Sequence, residues 1–422
     1  MLDIKFIRDN RDLIESAARK KHLPFDVGAL LEADKKRLDL LSKVETLRAE
    51  QNKTSEKVAG TNDPAVRETF INQMRTLKED LKRKEDELKP VLQEWQKLML
   101  SVPNVPDMSV PEGKDENENL EIRTHGKKPQ FSFTPKDHVE LLESLDMADF
   151  ERGTKTAGFR GYFLKNEGAL LSFAIWQYTI NHLVKKGYSP MIVPSLVTRE
   201  VLLGSGYLPQ GEEDLYKTQD GSYLAGTGEV STMAYYMGET LLKKDLPKKF
   251  LSFSSCFRRE AGAHGKDVKG AVRVHEFFKV EQVILCEASH ETSVILHEEL
   301  TKNSEEILQG LGLAYRVTLI CGGDLGLGQV KKYDLEAWVP SQGKYRETHS
   351  ASYFHDFQTR RLNIRYRDDD GKLKFAHSLN NTAIATPRVL VALIEQYQNK
   401  DGSITVPEAL RLYMGKDVIQ KN

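Results

Sequence analysis

Hydrophobic residues recur every three or four positions in two stretches near the amino terminus. From Phe70 to Val102 the steps alternate between four and three, and Lys84 interrupts the pattern once. An earlier stretch has apolar residues at Leu31, Leu38, Leu41, Val44 and Leu47. Such spacing is typical of helices that pair in a coiled coil. The sequence therefore predicts an antiparallel pair of helices of about 30 residues, each roughly 45 Å long.

A turn signal separates the two predicted helices. Residues 60–64 read GTNDP, in which Asp63 can cap the helix that follows. Pro90 removes a main-chain donor inside the second helix and predicts a kink. The hairpin is also rich in charged residues, which has two explanations. The charges either solvate an ordinary coiled coil or belong to a long arm that reaches a partner.

A linker with several prolines, residues 103–121, separates this hairpin from the rest of the chain. We place the domain boundary near residue 106, which gives an amino-terminal domain of residues 1–106 and a second domain of residues 107–422. The chain has 422 residues, enough for a large catalytic core and an appendage.

The second domain mixes helical and extended patterns. Helices are predicted over residues 169–186 and 292–309 and from Pro387 onwards. Strand-like runs cover residues 188–197, 274–286, 315–323 and 331–340 and the neighbourhood of 375–380. Several runs follow each other without a helical crossover, which favours an antiparallel sheet. The predicted fold class is α+β, with an antiparallel sheet flanked by helices.

Charge and cysteine content narrow the setting. The formal net charge is −1, so any nucleic acid would bind to local basic patches rather than to the whole surface. The cysteines Cys256, Cys286 and Cys321 form no CxxC pair, which indicates buried thiols and argues against structural zinc. No apolar run approaches the roughly 20 residues of a membrane span, and the start of the chain lacks a signal-peptide core. We expect a soluble, cytoplasmic protein.

Residues 257–281, FRREAGAHGKDVKGAVRVHEFFKVE, hold the densest chemistry of the chain. Flanks of alternating character enclose Gly262, Gly265 and Gly270, which predicts a strand, a loop and an antiparallel strand. The segment offers guanidinium groups that suit phosphate oxygens, together with aromatic rings that can cover a purine. It therefore indicates a nucleotide site.

Other polar clusters carry weaker signals. The glycines of residues 321–329 match neither a P-loop nor a dinucleotide fingerprint and are interpreted as a turn between strands. Ser254, Ser255 and His264 lack the strand–turn–helix context of a nucleophilic serine, so we assign them no catalytic role.

Several of these segments resemble the class II aminoacyl-tRNA synthetases. Residues 257–281 resemble motif 2, residues 379–398 resemble motif 3 with Arg388, and the helix before YSPMIVP resembles motif 1 with Pro194. Within that class the chain is similar to the seryl-tRNA synthetases of bacterial type. The similarity includes the helical arm, GTGEV at 226–230, YRETHSAS at 345–352 and VPEALRLYMG at 406–415.

The resemblance implies an ATP site with Arg258 and Arg388 as catalytic residues. Arg258 would hold the α-phosphate and the serine carboxylate, and Arg388 would meet the γ-phosphate. Phe277 would cover the adenine. The implied ATP-binding residues are Arg258, Arg259, Glu260, Arg273, Val274, Phe277, Glu347, Thr348, His349, Ser350 and Arg388. Arg273 is expected on the neighbouring strand, and the main chain near Val274 is expected to read the edge of the adenine.

The resemblance also implies a magnesium site and a serine pocket. Glu347 and Ser350 would hold Mg²⁺, whose preference for oxygen ligands they match, and no zinc is expected. The implied serine-binding residues are Thr227, Gly228, Glu229, Arg258, Glu281 and Thr382. Gly228 stands where alanine is common in the family and is expected to enlarge or loosen the pocket wall slightly.

The partners implied are ATP, L-serine, tRNA(Ser) and also tRNA(Sec), with a homodimer and no membrane. The reaction would form seryl-adenylate and pass the seryl group to tRNA. The arm would read the tRNA through basic residues such as Arg48, Lys53, Lys57, Arg75 and Lys78. Two alternatives stay open: a related enzyme that loads an amino acid onto a carrier protein, and a non-catalytic tRNA-binding paralogue.

Overall fold

The computed structural model describes residues 1–262, 267 and 269–421. His264 and Gly265 lie outside the described residues. The chain divides into two compact units, one of residues 1–19 and 23–103 and the other of residues 20–22 and 104–422.

The first unit is helical. Its helices are α1 (Ile4–Asp9), α2 (Arg11–Lys20), α3 (Val27–Gly60) and α4 (Pro64–Leu100). The side chain of Asp63 accepts hydrogen bonds from the main-chain nitrogens of Ala65 and Val66, so the predicted cap is confirmed. Pro90 lies inside α4, and the helix continues on both sides of it.

The seam of α4 matches the predicted heptads. Leu88 and Val102 are buried, and the other seam positions, including Lys84, are partly buried. The seam predicted for α3 is wrong at Leu38, which is 41% exposed. Asp34 and Arg37 take the inward positions instead, where the Asp34 carboxylate pairs with Arg37 at 2.7 Å. An ion pair in the seam cannot be found by a search for apolar spacing.

The second unit is built on an eight-stranded sheet. Its strands, in chain order, are β1 (Leu120–His125), β4 (Ser189–Ile192), β9 (Lys248–Phe257), β10 (Glu276–Cys286), β11 (Tyr315–Leu319), β12 (Lys331–Val339), β13 (Lys344–His355) and β16 (His377–Thr386). Across the sheet the order is β1-β11-β12-β13-β16-β10-β9-β4. All neighbours are antiparallel except β4, which pairs with β9 in parallel.

Helices and short strands complete the second unit. The helices are α5 (His138–Ser144), α6 (Phe150–Ala157), α7 (Asn166–Val184), α8 (Arg199–Ser205), α9 (Gly228–Ala234), α10 (His290–Gly310), α11 (Phe357–Arg361), α12 (Arg388–Gln396) and α13 (Glu408–Met414). The short strands are β2 (Ala148–Asp149), β3 (Phe163–Leu164), β5 (Leu196–Val197), β6 (Tyr216–Lys217), β7 (Tyr223–Leu224), β8 (Thr240–Leu242), β14 (Arg365–Arg367), β15 (Leu373–Phe375), β17 (Ile404–Thr405) and β18 (Val418–Ile419). The α+β fold class is confirmed.

Most predicted elements are present, but strand β1 and the shorter helices of the second unit were not predicted. The strand predicted over residues 188–197 is two short strands, β4 and β5. Strand β13 was missed, although it lies near the middle of the sheet, because its polar sequence YRETHSAS does not show a hydrophobic strand pattern. The large core cluster beneath the sheet includes residues of α7, α10 and α12.

The strand, loop and strand predicted for residues 257–281 are β9, its loop and β10, which pair antiparallel with Phe257 opposite Glu276. Arg273 lies in the loop before β10 rather than on the strand, which corrects its expected position. The three cysteines are free and buried as predicted. Among the described helices, none is long and apolar enough to cross a membrane.

Candidate active site

Strand β10 carries the residues that line the middle of the site. Because side chains alternate along a strand, Phe277, Lys279 and Glu281 lie on the same face of the sheet. Thr382 of β16 pairs directly with Glu281 and so shares that face. This arrangement brings an aromatic ring, an ammonium group and a carboxylate into one row.

A β-bulge in strand β13 brings Glu347 and Ser350 together. In a regular strand, residues three apart point to opposite faces. Here Leu335 pairs with His349 and Glu336 pairs with Glu347, so Thr348 is the extra residue of a bulge. The bulge restores Glu347 and Ser350 to one face, where Ser350 lies opposite Asp334.

Two adjoining cavities lie over this face. The first is lined by residues that include Glu260, Arg273, Val274, Phe277, Thr348 and Arg388. The second is lined by residues that include Tyr207, Thr227, Glu229, Glu281, Lys332 and Ser350. Arg258, Lys279, Glu347 and Thr382 line both cavities. These four residues therefore mark the place where the cavities meet.

The first cavity has the character expected for a nucleotide base and its phosphates. The guanidinium carbon of Arg258 lies 5.3 Å from the centre of the Phe277 ring. Glu260 and Arg273 form an ion pair with 2.5 Å between Oε2 and Nη1. Glu260, in the loop after β9, has a positive φ of 56°, which is uncommon for a residue other than glycine.

Arg388 begins helix α12 and connects it to β13. Its Nη1 donates to the main-chain oxygen of Glu347 at 2.9 Å and lies 3.6 Å from the carboxylate of the same residue. Desolvation opposes ionisation of Glu347, but Arg388, Lys332 and Arg258 lower its pKa below the usual value. The Glu347 carboxylate is therefore ionised and surrounded by cations.

Glu229 is the buried acid of the second cavity. It is 4% exposed, and it accepts from the Tyr207 hydroxyl at 2.9 Å and from Gln358 Nε2 at 2.6 Å. Burial and the nearby charge of Glu281 raise the pKa of Glu229 to about 7, against the opposing effect of these hydrogen bonds and of Lys279.

A lysine joins two of the residues predicted to bind serine. Lys279 Nζ lies 2.6 Å from Glu281 Oε2 and donates to Thr227 Oγ1 at 2.7 Å. The Thr382 hydroxyl donates to the same Glu281 oxygen at 3.4 Å. Thr227 also caps helix α9, since its side chain accepts from the main-chain nitrogen of Glu229.

The wall beside Gly228 is filled from strand β9. A Cβ atom at this position would lie 2.9 Å from Ser252 Oγ and 3.0 Å from Ser254 Oγ. The hydroxyl groups of Ser252 and Ser254 therefore occupy the space beside Gly228 that an alanine side chain would need. Gly228 is not among the residues that line either cavity, so its expected effect on the pocket wall stays a prediction.

The oxygens of β12 and β13 fit a hard cation. Asp334 is 6% exposed, and its Oδ1 is buried with no hydrogen-bond partner among the described residues. No group of three or more acidic, histidine or cysteine ligands occurs within the described part of the chain. Mg²⁺ commonly binds through one or two carboxylates plus waters and substrate phosphates, so Glu347 and Ser350 suit it.

Three predicted ATP residues, Arg259, His349 and Ser350, do not line the first cavity, and Ser350 lines the second. Arg259 is exposed, and its main-chain nitrogen donates to Asp214. His349 is 1% exposed and contacts the main-chain oxygen of Ala383 at 2.9 Å, while burial lowers its pKa to about 4. Its ring supports the bulge from the opposite side of the sheet.

Tyr207 and Lys279 line the second cavity, and Gln358 contacts Glu229; none of the three was assigned a role from the sequence. Tyr207 and Gln358 lie outside the motifs, and no pattern would have identified them. Lys279 could have been found, because it lies between Phe277 and Glu281 in a strand whose alternate residues share a face.

Two family profiles match the chain. The profile described as Seryl-tRNA synthetase N-terminal domain matches residues 1–106. The profile described as tRNA synthetase class II core domain (G, H, P, S and T) matches residues 215–397.

Individual proteins resemble the chain over its full length. A serine–tRNA ligase of Deinococcus radiodurans is 47% identical over 416 residues, which are 98% of each chain. The crystal structure of seryl-tRNA synthetase from Pyrococcus horikoshii complexed with ATP has a TM-score of 0.91 at 38% identity and covers 100% of both chains. The cytoplasmic serine–tRNA ligase of Naegleria fowleri in complex with AMP has a TM-score of 0.86 at 32% identity and covers 100% of this chain and 99% of its own.

Proposed function

The chain belongs to the seryl-tRNA synthetase family and is an ATP-dependent serine–tRNA ligase, and we propose that it works in two steps. In the first step the serine carboxylate attacks the α-phosphate of ATP, which forms seryl-adenylate and releases pyrophosphate. In the second step a hydroxyl of the terminal adenosine of tRNA attacks the activated carbonyl, and AMP leaves. The observation that carries this proposal is the set of four residues shared by the two cavities.

In the first step Arg258 is the central cation. It lines both cavities, so one guanidinium can contact the serine carboxylate and the α-phosphate together. Such contacts position the reactants and stabilise negative charge that develops on phosphate. We assign adenine stacking to Phe277, the adenine amine to Glu260, and the γ-phosphate to Arg388 and Arg273.

Serine recognition is assigned to the second cavity. The carboxylates of Glu229 and Glu281 suit an ammonium and a hydroxyl, and Thr227 and Thr382 add hydroxyl groups beside them. A buried polar pocket rejects alanine strongly, because alanine leaves these groups unpaired. We assign rejection of threonine to steric exclusion of its extra methyl group.

Mg²⁺ is assigned to Glu347 and Ser350. The ion would supply charge neutralisation for the ATP phosphates. The chain's own contribution is to keep Glu347 ionised through Arg388, Lys332 and Arg258, and to hold Ser350 on the same face by the bulge at Thr348.

We assign tRNA binding to residues 1–106 and the chemistry to residues 107–422. Helices α3 and α4 offer exposed basic residues, among them Arg48, Lys53, Lys57, Arg75 and Lys78. We extend the substrates to tRNA(Sec) as well as tRNA(Ser), and we infer a homodimer in which the arm of one subunit contacts tRNA on its partner.

The test is ATP–pyrophosphate exchange with a panel of amino acids, followed by aminoacylation of tRNA(Ser) and tRNA(Sec) transcripts. Exchange that depends on serine, and charging of tRNA(Ser), are expected. Exchange without charging of any tRNA would contradict the second step, and absence of serine-dependent exchange would contradict the first.

A further inference from the structure

The amino-acid pocket contains two buried carboxylates. Glu229 and Glu281 both face it, and neither has more than 4% of its surface exposed. A buried carboxylate is costly unless a group of opposite charge or a hydrogen-bond donor pairs with it.

Lys279 is the buried cation that pairs with Glu281. It is 5% exposed, its Nζ lies 2.6 Å from Glu281 Oε2, and it donates to Thr227 Oγ1 at 2.7 Å. One ammonium group therefore connects two of the residues assigned to serine and holds them in a fixed arrangement. The position of this ammonium group beside Thr227 and Glu281 also shows that their oxygens can accept from a group of that kind.

We propose that Lys279 is a positioning residue for serine, which holds the Glu281 carboxylate and the Thr227 hydroxyl in the arrangement that receives the substrate. This inference rests on the proposed function of the same site. Lys279 acts through the carboxylates and the threonine, and its loss should affect serine far more than ATP.

Because charged groups surround the pocket, loss of Lys279 should change the way in which serine binding depends on pH. The groups that face the pocket come from several elements: Tyr207 after α8, Arg258 after β9, Lys279 and Glu281 of β10, Lys332 of β12 and Glu347 of β13. The pKa of Glu229 is already raised to about 7, and the charge of Lys279 acts in the opposite direction. Removal of Lys279 therefore raises the pKa of Glu229 further, so ionised Glu229 becomes scarcer at neutral pH.

The experiment measures the KM values for serine and for ATP by pyrophosphate exchange between pH 6 and 9. In Lys279→Met the serine KM at pH 7 is expected to rise about tenfold or more, the scale of a lost charged hydrogen bond. The ATP KM is expected to change less than about threefold. The midpoint of the change in serine KM with pH is expected to move to higher pH. Lys279→Gln keeps an amide donor without the charge, so it should move the midpoint by a similar amount with a smaller change in KM.

Lys249→Met is the matched control. Lys249, on the neighbouring strand β9, forms an ion pair with Glu299 at 2.7 Å and lines neither cavity. Its substitution should leave both KM values and the pH midpoint as in the unaltered protein. Thermal unfolding with and without ATP establishes that each variant is folded and binds nucleotide.

Two results would overturn the inference. One is a folded Lys279→Gln protein with the original pH midpoint and serine KM. The other is an equal rise in the KM values for serine and ATP, which indicates a general structural role. If the unaltered protein itself lacks serine-dependent exchange, the proposed function fails instead, so the two failures are distinguishable.

Discussion

Tyr207 donates its hydroxyl to Glu229 at 2.9 Å from a position 22 residues earlier in the chain. Removal of this donor by Tyr207→Phe leaves the ring in place but withdraws a hydrogen bond from a buried acid. A hydrogen bond to a charged group contributes about 1.5–3 kcal/mol, so the serine KM should rise roughly tenfold or more. Pyrophosphate exchange measures this, with the ATP KM expected to stay nearly constant.

Tyr223→Phe is the control for that prediction. Tyr223 is also buried and also donates to a glutamate, Glu212, at 2.7 Å. It lines neither cavity, so its substitution should leave the serine KM unchanged. Equal changes in the two variants would argue against a specific role for Tyr207.

The raised pKa of Glu229 predicts a pH dependence of serine binding. Only the ionised carboxylate attracts an ammonium group, and the pKa of about 7 means that ionisation occurs as the pH passes through neutrality. The affinity for serine should therefore increase between pH 6 and pH 8. Isothermal titration with serine at a series of pH values measures it, and a flat profile would contradict the assignment.

The same shift predicts the pH dependence of stability. A carboxyl group with a raised pKa binds more protons in the folded state than in the unfolded state, so it makes stability fall as the pH rises from about 4.5 to about 7. Glu229→Gln removes this contribution. The free energy of unfolding of the variant, relative to the unaltered protein, should increase across that window by up to about 3 kcal/mol. Urea denaturation at several pH values measures the difference, and serine-dependent exchange should be abolished.

Because the bulge at Thr348 places Glu347 and Ser350 on one face, substitution of Glu347 is predicted to change the Mg²⁺ requirement of the reaction. Glu347→Gln should raise the Mg²⁺ concentration needed for half-maximal exchange about tenfold, since a neutral amide is a weaker ligand for a hard cation. Glu299→Gln, which alters an ion pair with Lys249 away from both cavities, is the control. An unchanged Mg²⁺ requirement in Glu347→Gln would remove this residue from the metal site.

The arm can be tested separately from the chemistry. Deletion of residues 30–100 should spare pyrophosphate exchange and abolish tRNA charging. Arg75→Ala and Lys78→Ala, at exposed positions of α4, should weaken tRNA binding and lower its salt dependence by about one unit of slope for each phosphate that is no longer neutralised. Arg83→Ala is the control, because Arg83 is paired with Asp80 at 2.7 Å. Equal decreases of exchange and charging in the deletion would contradict the assigned role of the arm.

The sequence alone predicts those helices and strands whose pattern involves only residues close together in the chain. Heptad spacing located α4, and alternation located β10, because each depends on neighbours along the chain. Leu38 was misplaced because the ion pair of Asp34 with Arg37 replaces an apolar contact. Arg273 was misplaced because strand boundaries depend on pairing, which begins at Glu276.

The site depends on relationships that no single segment contains. The common face of Glu347 and Ser350 exists because β12 and β13 pair with an extra residue, which only the register of the two strands determines. Tyr207 and Gln358 reach Glu229 through tertiary packing. The family resemblance implies a serine-binding role for Glu229, whereas the groups that control its ionisation are evident only in the structure.

Strand β10 has a consequence for attempts to change the amino acid that is used. At about 3.3 Å per residue, Phe277 and Glu281 are held roughly 13 Å apart by the backbone itself. An insertion or deletion of one residue between them would turn Glu281 to the other side of the sheet. Redesign for a larger amino acid must therefore leave this strand intact and make room among the residues that other elements bring to the second cavity.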